Sequence, residues 1–224
     1  MHDILHIMPG FELPTIQLIA IAIIPLLYAI VVHEVAHGWV ARQLGDDTAY
    51  LMGRLTLNPL KHIDPIGTIL VPLVLILTVG FAFGWAKPVP VNFNNLRNRR
   101  RDTILVAAAG PLANLLMAIA WALIAKLASL LPDSITMLTT PLILMSMFGM
   151  IINAILMVFN LIPIPPTDGG RIATSLLPPR LGYQLSRVEP YGFLIILVLL
   201  LSGVIWKLLD MVTQTVMQLI QFIL

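Results

Sequence analysis

Long apolar segments are the feature that most restricts how this chain can fold. Residues 14–43, 103–131 and 136–162 each form such a segment, and about 20 apolar residues suffice to cross the hydrocarbon core of a bilayer as a helix. Backbone polar groups inside lipid must be hydrogen-bonded within the protein, and a helix achieves this within one segment. The sequence therefore predicts an all-α polytopic membrane protein.

Two further apolar segments are shorter or interrupted. Residues 66–83 contain Pro72 and Gly80, so this segment either spans the membrane or re-enters it. The region after Pro190 is apolar up to Trp206, and the glutamines beyond it are typical of a helix at the membrane interface. We expect about four transmembrane helices, a short re-entrant or fifth hydrophobic segment over 66–83, and a single integral-membrane domain over 1–224, with its core at 14–175 and a C-terminal helical region at 190–224.

Composition supports the membrane location and excludes several classes of protein. Of the 224 residues, 58% are apolar and 11% are charged, whereas soluble domains average roughly half and a quarter. The net charge of +2 is too small to predict a nucleic-acid partner. The chain has no cysteine, which excludes disulfides, iron–sulfur clusters and thiolate-bound metals. A bound metal would therefore have nitrogen and oxygen ligands.

The positive charges predict how the chain is oriented in the cell membrane. Cytoplasmic loops of membrane proteins are enriched in Lys and Arg, and the positive residues here concentrate in three loops. We favour re-entry of residues 66–83, because all three loops then face the cytoplasm. The run Arg99–Arg101 also predicts contact with anionic lipid. The loop residues are Arg42, Arg54, Lys61, Lys87, Arg97, Arg99, Arg100, Arg101, Arg171, Arg180 and Arg187.

The first apolar segment contains His33-Glu34-Val35-Ala36-His37, an H-E-x-x-H pattern. Residues four apart lie on the same face of a helix, so His33 and His37 can bind one zinc ion, with Glu34 beside the water that the metal activates. Alternatively, both histidines are core residues with ordinary hydrogen bonds. An ionisable side chain within a membrane helix costs on the order of 2 to 3 kcal/mol. That cost favours a functional metal site.

A catalytic zinc usually has a third protein ligand and an open position, and Asp168 is the main candidate. Three of the four residues 163–166 are proline and two glycines follow Asp168, so its carboxylate sits on a rigid segment that can fold back toward the histidines. Asp168 could also form a turn or a helix N-cap. His62 and Asp64 are the competing ligands, although their position between prolines is more typical of loop and capping residues.

Three motifs in this order resemble the site-2 proteases of peptidase family M50, which are membrane-embedded zinc metalloproteases that cut transmembrane segments of their substrates. The motifs are HEVAH at 33–37, AGPLAN at 109–114 and NLIPIPPTDGGR at 160–171. The resemblance implies that His33, His37 and Asp168 hold one Zn²⁺ per chain and that Glu34 is catalytic. It also implies small membrane-associated β-strands at 53–58 and 84–91 beside the site. The PDZ and CBS domains of other members are absent.

The predicted function is hydrolysis of peptide bonds in or near transmembrane segments, by zinc-activated water with Glu34 as general base. The expected partners are transmembrane proteins or peptides and the bilayer, and the active site is expected within the membrane near its cytoplasmic face. A zinc transporter is an alternative, but no repeated halves are visible in the sequence. A membrane hydrolase of lipid amides would use the same chemistry and stays open, as does the oligomeric state.

Two asparagines are further candidates for substrate binding. Asn160 lies seven residues after Asn153, on roughly the same helical face, and could orient a substrate backbone or cap its helix. Asn114 follows the small residues 107–110, which allow helices to approach closely. For Asn114 we favour the alternative of an interhelical hydrogen bond.

Overall fold

The computed structural model describes residues 15–79, 84 and 86–223, which are helical over most of their length. Short 3₁₀ turns occur at Pro59–His62 and Asp133–Ile135, and a π-helical turn at Pro65–Leu70. The α-helices are α1 (Thr15–Gln43), α2 (Thr48–Leu51), α3 (Val71–Val79), α4 (Arg99–Ser129), α5 (Thr136–Asn160), α6 (Asp168–Leu176), α7 (Pro179–Ser186), α8 (Glu189–Leu201) and α9 (Val204–Ile223).

Three of these helices are long and apolar enough to cross a membrane, namely α1 over Ile21–Gln43, α4 and α5. A fourth candidate span is the pair α7 and α8, which is bent by 67° at its break. The described residues thus contain three spans, or four if the bent pair counts as one. The chain is a multi-pass membrane protein.

The helices α1, α4 and α5 form the centre of the bundle, and Asn114 of α4 joins all three. Its side chain is completely buried. Its amide nitrogen donates to the carbonyl of Ala29 in α1 at 3.1 Å and to Oδ1 of Asn153 in α5 at 2.9 Å. Water does not compete for such hydrogen bonds inside a membrane bundle, so they hold the helices in register. This register places the histidines of α1 beside the middle of α4.

Loop residues that precede and follow residues 66–83 are described by the structure. Asp64 caps the start, where its Oδ1 accepts the N–H groups of Ile66 at 3.0 Å and Gly67 at 2.7 Å. After the segment, the N–H of Lys87 donates to the carbonyl of His62 at 2.9 Å. The loop residues on either side of the segment are therefore hydrogen-bonded to each other. Residues 80–83, including Gly80, lie outside the described part of the chain.

The β-strands predicted at 53–58 and 84–91 are absent from the described part of the chain, so this prediction is wrong. Pro88 and Pro90 have no N–H, and alternate positions of the second segment therefore cannot donate to a ladder. Arg54 joins the two segments instead, and its Nη2 donates to the carbonyls of Lys87 at 3.0 Å and Pro88 at 3.3 Å. A side-chain bridge thus replaces the expected backbone pairing.

Asp46 fixes the loop before α4 against the end of α1. Its buried carboxylate accepts the hydroxyl of Thr48 at 2.5 Å, the amide of Asn95 at 2.9 Å, and the backbone N–H groups of Asn92 at 2.7 Å and Thr48 at 3.2 Å. Burial by itself would raise the pKa of Asp46, but these hydrogen bonds outweigh it and lower the pKa below its usual value. The carboxylate is therefore ionised at neutral pH, and both of its oxygens can accept these hydrogen bonds.

The last helix, α9, packs against α5. Val216 and Ile220 of α9 form one apolar cluster with Met150 and Ile151 of α5. At the end of α9, the carbonyl of Ile223 accepts a hydrogen bond from Lys126 of α4 at 2.7 Å. The predicted C-terminal helical region is therefore attached to the spanning bundle.

Candidate metal centre

Two successive turns of α1 direct His33 and His37 to the same point. Their Nε2 atoms lie 3.1 Å apart, and Oδ2 of Asp168 lies 3.2 Å from Nε2 of His33 and 3.3 Å from Nε2 of His37. Ligands about 2.0–2.1 Å from a tetrahedral zinc ion are about 3.3 Å from one another. The three atoms therefore have the spacing of one face of a zinc tetrahedron.

Both histidines are held with their Nε2 atoms free. The Nδ1–H of His33 donates to Oδ1 of Asn114 at 2.6 Å, and the Nδ1–H of His37 donates to the carbonyl of Val106 at 2.7 Å. We assign the proton to Nδ1 because each of these atoms faces an acceptor. The lone pair of each Nε2 then points at the shared position. In metal sites, a hydrogen bond from the ring nitrogen that does not bind the metal fixes the orientation of the imidazole.

The backbone around Asp168 folds back tightly. Asp168 begins α6, and the hydroxyl of Thr167 caps this helix by accepting the N–H of Gly170 at 3.2 Å. A Cβ atom on Gly169 would collide with the carbonyl of Leu161, and one on Gly170 would collide with the backbone of Pro165. The two glycines therefore allow the proline-rich segment to pack directly on the start of α6, where Asp168 faces α1.

Gly110 of α4 lies directly against the two histidines. A Cβ atom at this position would collide with the imidazoles of both His33 and His37. Only glycine leaves room for the two rings and for an ion between them. The small residues of the AGPLAN motif are a sequence signal for close helix packing, and by themselves they do not indicate that Gly110 lies against the two imidazoles.

The residues present fit zinc. Oδ2 of Asp168 is buried and has no hydrogen-bond partner, although two imidazole nitrogens lie beside it. A bound metal ion would supply the partner that this buried carboxylate oxygen lacks. Two imidazole nitrogens and one carboxylate oxygen are a ligand set found at catalytic zinc sites with an open position. Within the described residues, these three side chains form the one group with this convergence.

Glu34 is anchored by a backbone amide. Its Oε2 accepts the N–H of Val89 at 2.8 Å. The side chain of Val89 is buried and packs onto α1 at Gly38, where an added Cβ atom would collide with Val89 and Leu55. Val89 and Leu55, one from each of the segments 84–91 and 53–58, thus lie beside α1 next to the site, and the described residues of these segments form no strand. The sequence does not reveal the contact with Glu34, because a backbone amide carries no residue signature.

Arg100 attaches α6 to the start of α4. Its guanidinium donates to the carbonyls of Ser175 at 2.6 Å, Leu176 at 2.9 Å and Leu177 at 3.0 Å. These are the last carbonyls of α6 and the residue after it, so Arg100 caps the helix that carries Asp168. Lipid contact by the run that includes Arg100 stays a prediction, and the sequence does not indicate this capping role.

The competing ligands lie elsewhere. His62 is buried, but its Nε2–H donates to the carbonyl of Thr56 at 2.9 Å and the residue is not part of the converging group. Asp64 caps the π-helical turn at Pro65–Leu70. Both residues therefore act as loop and capping residues in this structure.

The two asparagines have protein partners. Asn114 is completely buried and uses its amide group for His33, Ala29 and Asn153. Asn160 ends α5 and donates to the carbonyl of Leu156 at 2.9 Å. Substrate contact by Asn160 or Asn114 stays a prediction.

A converging pair of histidines on one membrane-spanning helix, with a carboxylate brought to them from a distant loop, defines a membrane metalloprotease. Comparison of sequences agrees with this class. The sequence model of peptidase family M50 matches residues 21–140 and 132–203. The chain belongs to peptidase family M50, and it is a zinc metalloprotease.

Several curated relatives are named as zinc metalloproteases. YwhC of Bacillus subtilis strain 168 is 38% identical over 209 residues, which are 91% of this chain and 92% of YwhC. Rip2 of Mycolicibacterium smegmatis is 30% identical over 177 residues, which are 79% of this chain and 64% of Rip2. Rip2 of Mycobacterium tuberculosis strain H37Rv is 28% identical and covers 83% of this chain and 71% of its own length. No solved structure gives a significant match.

Proposed function

We propose that this zinc metalloprotease hydrolyses peptide bonds in or near transmembrane segments of other membrane proteins. The observation that carries the proposal is the convergence of His33, His37 and Asp168 within a bundle of spanning helices. At 1.5 Å per residue, His37 and His33 lie about 8 and 14 Å along α1 from Arg42. A site at this depth meets substrates that are themselves in the bilayer.

The proposed metal is one Zn²⁺ per chain, with His33, His37 and Asp168 as its protein ligands. Bound zinc supplies a Lewis acid that lowers the pKa of water and polarises a carbonyl. Asn114 and the carbonyl of Val106 keep the two imidazoles in the tautomer that a metal requires. Gly110 leaves the space between the rings open.

The proposed general base is Glu34, which takes a proton from the attacking water and delivers a proton to the leaving amine. The C–N bond of the peptide breaks, and the water supplies the oxygen of the new carboxylate. The N–H of Val89 holds Oε2 of Glu34 at 2.8 Å, which leaves the other carboxylate oxygen for the proton. The segment around Val89 thus limits how far Glu34 can turn from the site.

Activity against a panel of peptides tests the substrate class. The panel contains transmembrane peptides in vesicles, soluble extended peptides and a lipid amide, and the Glu34→Gln variant is the control. We expect cleavage of transmembrane peptides that a chelator abolishes and that zinc restores. Cleavage of the soluble peptides alone, or of the lipid amide alone, would refute the proposed substrate class.

We place the protein in the cell membrane, with the metal site near the cytoplasmic face. Two observations support this placement: the positive residues of the loops between the spans, and the meeting of His62 and Lys87 at the two ends of residues 66–83. On this proposal, the loops at 44–65 and 86–98 face the cytoplasm, and the turn between α4 and α5 faces outward.

Single cysteines test the orientation, because the chain has none of its own. The exposed residues Met52, Asn94 and Ser134 lie on the two proposed sides, and none of them contacts the metal site. A membrane-impermeant thiol reagent is expected to label Met52→Cys and Asn94→Cys in inverted vesicles and Ser134→Cys in intact cells. Labelling of position 94 together with position 134 would instead make residues 66–83 a true span.

A further inference from the structure

Five polar side chains form one narrow stripe along α9. At 100° per residue, they lie within about 80° of the circumference of the helix. All five are exposed. We call this surface the polar stripe; its residues are Lys207, Asp210, Gln214, Gln218 and Gln221.

The polar stripe lies opposite the packed face of α9. The buried residues of this helix are Ile205, Leu209, Val216 and Ile220. Their mean direction is about 150° from that of the polar stripe on a helical wheel. The polar stripe therefore points away from the bundle of its own chain.

The helix α9 packs along the candidate spanning helix α5 over most of its length. Its first half belongs to an apolar cluster with Phe159 near the end of α5, and its second half belongs to a cluster with Met150 and Ile151 in the middle of α5. Its last carbonyl, at Ile223, reaches Lys126 near the far end of α4. A helix with this path would turn the polar stripe toward lipid.

Polar and charged side chains that face lipid require partners. Neither Lys207 nor Asp210 has an ion-pair partner within residues 15–79, 84 and 86–223. The three glutamines are exposed and have no side-chain hydrogen bond in the same part of the chain. The polar stripe is therefore a surface without partners in the single chain.

We propose that the polar stripe is the contact between two copies of this chain. Two copies inserted in the same direction are related by a two-fold axis normal to the membrane, and their α9 helices are then parallel. A glutamine amide is both donor and acceptor, so each glutamine can bond to its counterpart. Lys207 of each copy meets Asp210 of the other, and the four charges alternate in sign.

The spacing of the polar stripe also fits a parallel pair. Lys207, Gln214 and Gln221 are separated by seven residues each, the repeat that keeps one face of a helix against a parallel partner. An unrelated partner helix would need to supply the complementary series of charges and amides by coincidence. A second copy supplies it by symmetry.

Cysteine cross-linking in native membranes tests the proposal, because the chain has no other cysteine. Gln214→Cys lies in the centre of the polar stripe, and Leu219→Cys is the matched control, exposed by 51% on the flank of the same helix. We expect oxidation to convert Gln214→Cys into a species with the mass of two chains of 24.7 kDa each, and Leu219→Cys several-fold less.

Charge reversal sharpens the test. In the Gln214→Cys background, Lys207→Asp alone and Asp210→Lys alone are each expected to lower cross-linking several-fold, because like charges then face each other across the axis. Coexpression of the two single variants, or the double reversal in one chain, is expected to restore it. Unchanged zinc content in each variant serves as the control for folding.

Three outcomes would overturn the proposal. Equal cross-linking of Gln214→Cys and Leu219→Cys would indicate random collision, with the polar stripe facing water at the membrane surface. Cross-linking of Gln214→Cys to other proteins and not to itself would assign the surface to a different partner. If the double reversal did not restore cross-linking while the zinc content stayed intact, the proposed two-fold pairing of Lys207 with Asp210 would be ruled out.

Discussion

Within the part of the chain that the structure describes, a histidine and a carboxylate lie close together in the sequence at two places, His33 with Glu34 in α1 and His62 with Asp64 in the loop before residues 66–83. In α1, the Nδ1 of each histidine is bonded, and the free Nε2 atoms converge with Asp168. In the loop, Nε2 of His62 is bonded to a carbonyl and Asp64 caps a turn. A metal site thus depends on which imidazole nitrogen is free of hydrogen bonds and on whether the fold brings a further ligand from a distant part of the chain. Residue type alone does not distinguish the two places.

The largest expected difference between these regions is in activity. Glu34→Gln removes the proton acceptor and is expected to lower the cleavage rate by about 10²- to 10⁴-fold, with zinc content unchanged. Asp64→Asn makes the same chemical change in the loop and keeps an oxygen for its two N–H donors, so the rate is expected to stay within a few-fold of wild type. Rates are measured on a transmembrane peptide in vesicles. Substantial cleavage by Glu34→Gln would mean that another group acts as the base.

Zinc content gives the next largest contrast. Asp168→Ala is expected to lose most of the bound zinc, because it removes the carboxylate between the two imidazoles. His62→Ala is expected to keep it, since His62 is outside the converging group. Metal analysis of the purified variants checks both. Full occupancy in Asp168→Ala together with loss in His62→Ala would transfer the third ligand position to His62.

A smaller effect is expected from the asparagine that orients His33. Asn114→Ala removes the acceptor of the Nδ1–H of His33 and is expected to weaken zinc affinity by about 10- to 100-fold. Asn58→Ala is the matched change in the loop, where Asn58 accepts the N–H of Leu60 at 3.0 Å, and the zinc affinity should not change. Competition with a chelator measures both. Equal affinities in the two variants would show that Asn114 has only a packing role.

The smallest expected effect is on stability in the loop. Asp64→Ala removes the acceptor of two backbone N–H groups at the start of the π-helical turn, and it is expected to lower the free energy of unfolding by about 0.5 to 2 kcal/mol. Zinc content should be unchanged. Thermal unfolding in detergent provides the measurement. Loss of zinc from Asp64→Ala would contradict the separation of the two regions.

Much of the site is predictable because its geometry is local. The four-residue spacing of His33 and His37 places both imidazoles on one face of α1 in any helical context. The length of the apolar segments likewise requires membrane-spanning helices. The absence of cysteine restricts the ligands to nitrogen and oxygen. The sequence by itself therefore determined the membrane-spanning helices, the common face of the two histidines and the exclusion of sulfur from cysteine as a ligand.

The remaining features depend on contacts between residues that are far apart in the chain. The bond between His33 and Asn114 joins positions 81 residues apart, and the bond between Glu34 and Val89 joins positions 55 apart. The side-chain bridge from Arg54, which occurs where we expected strands, also depends on how two loops pack. The spacing of residues within one segment carries no information on such contacts. They depend on how far each helix is shifted along its axis, and rotated about it, relative to its neighbours. Tertiary structure alone decided that Asp168 reaches the histidines, that Asn114 orients one of them, and that a backbone amide holds Glu34.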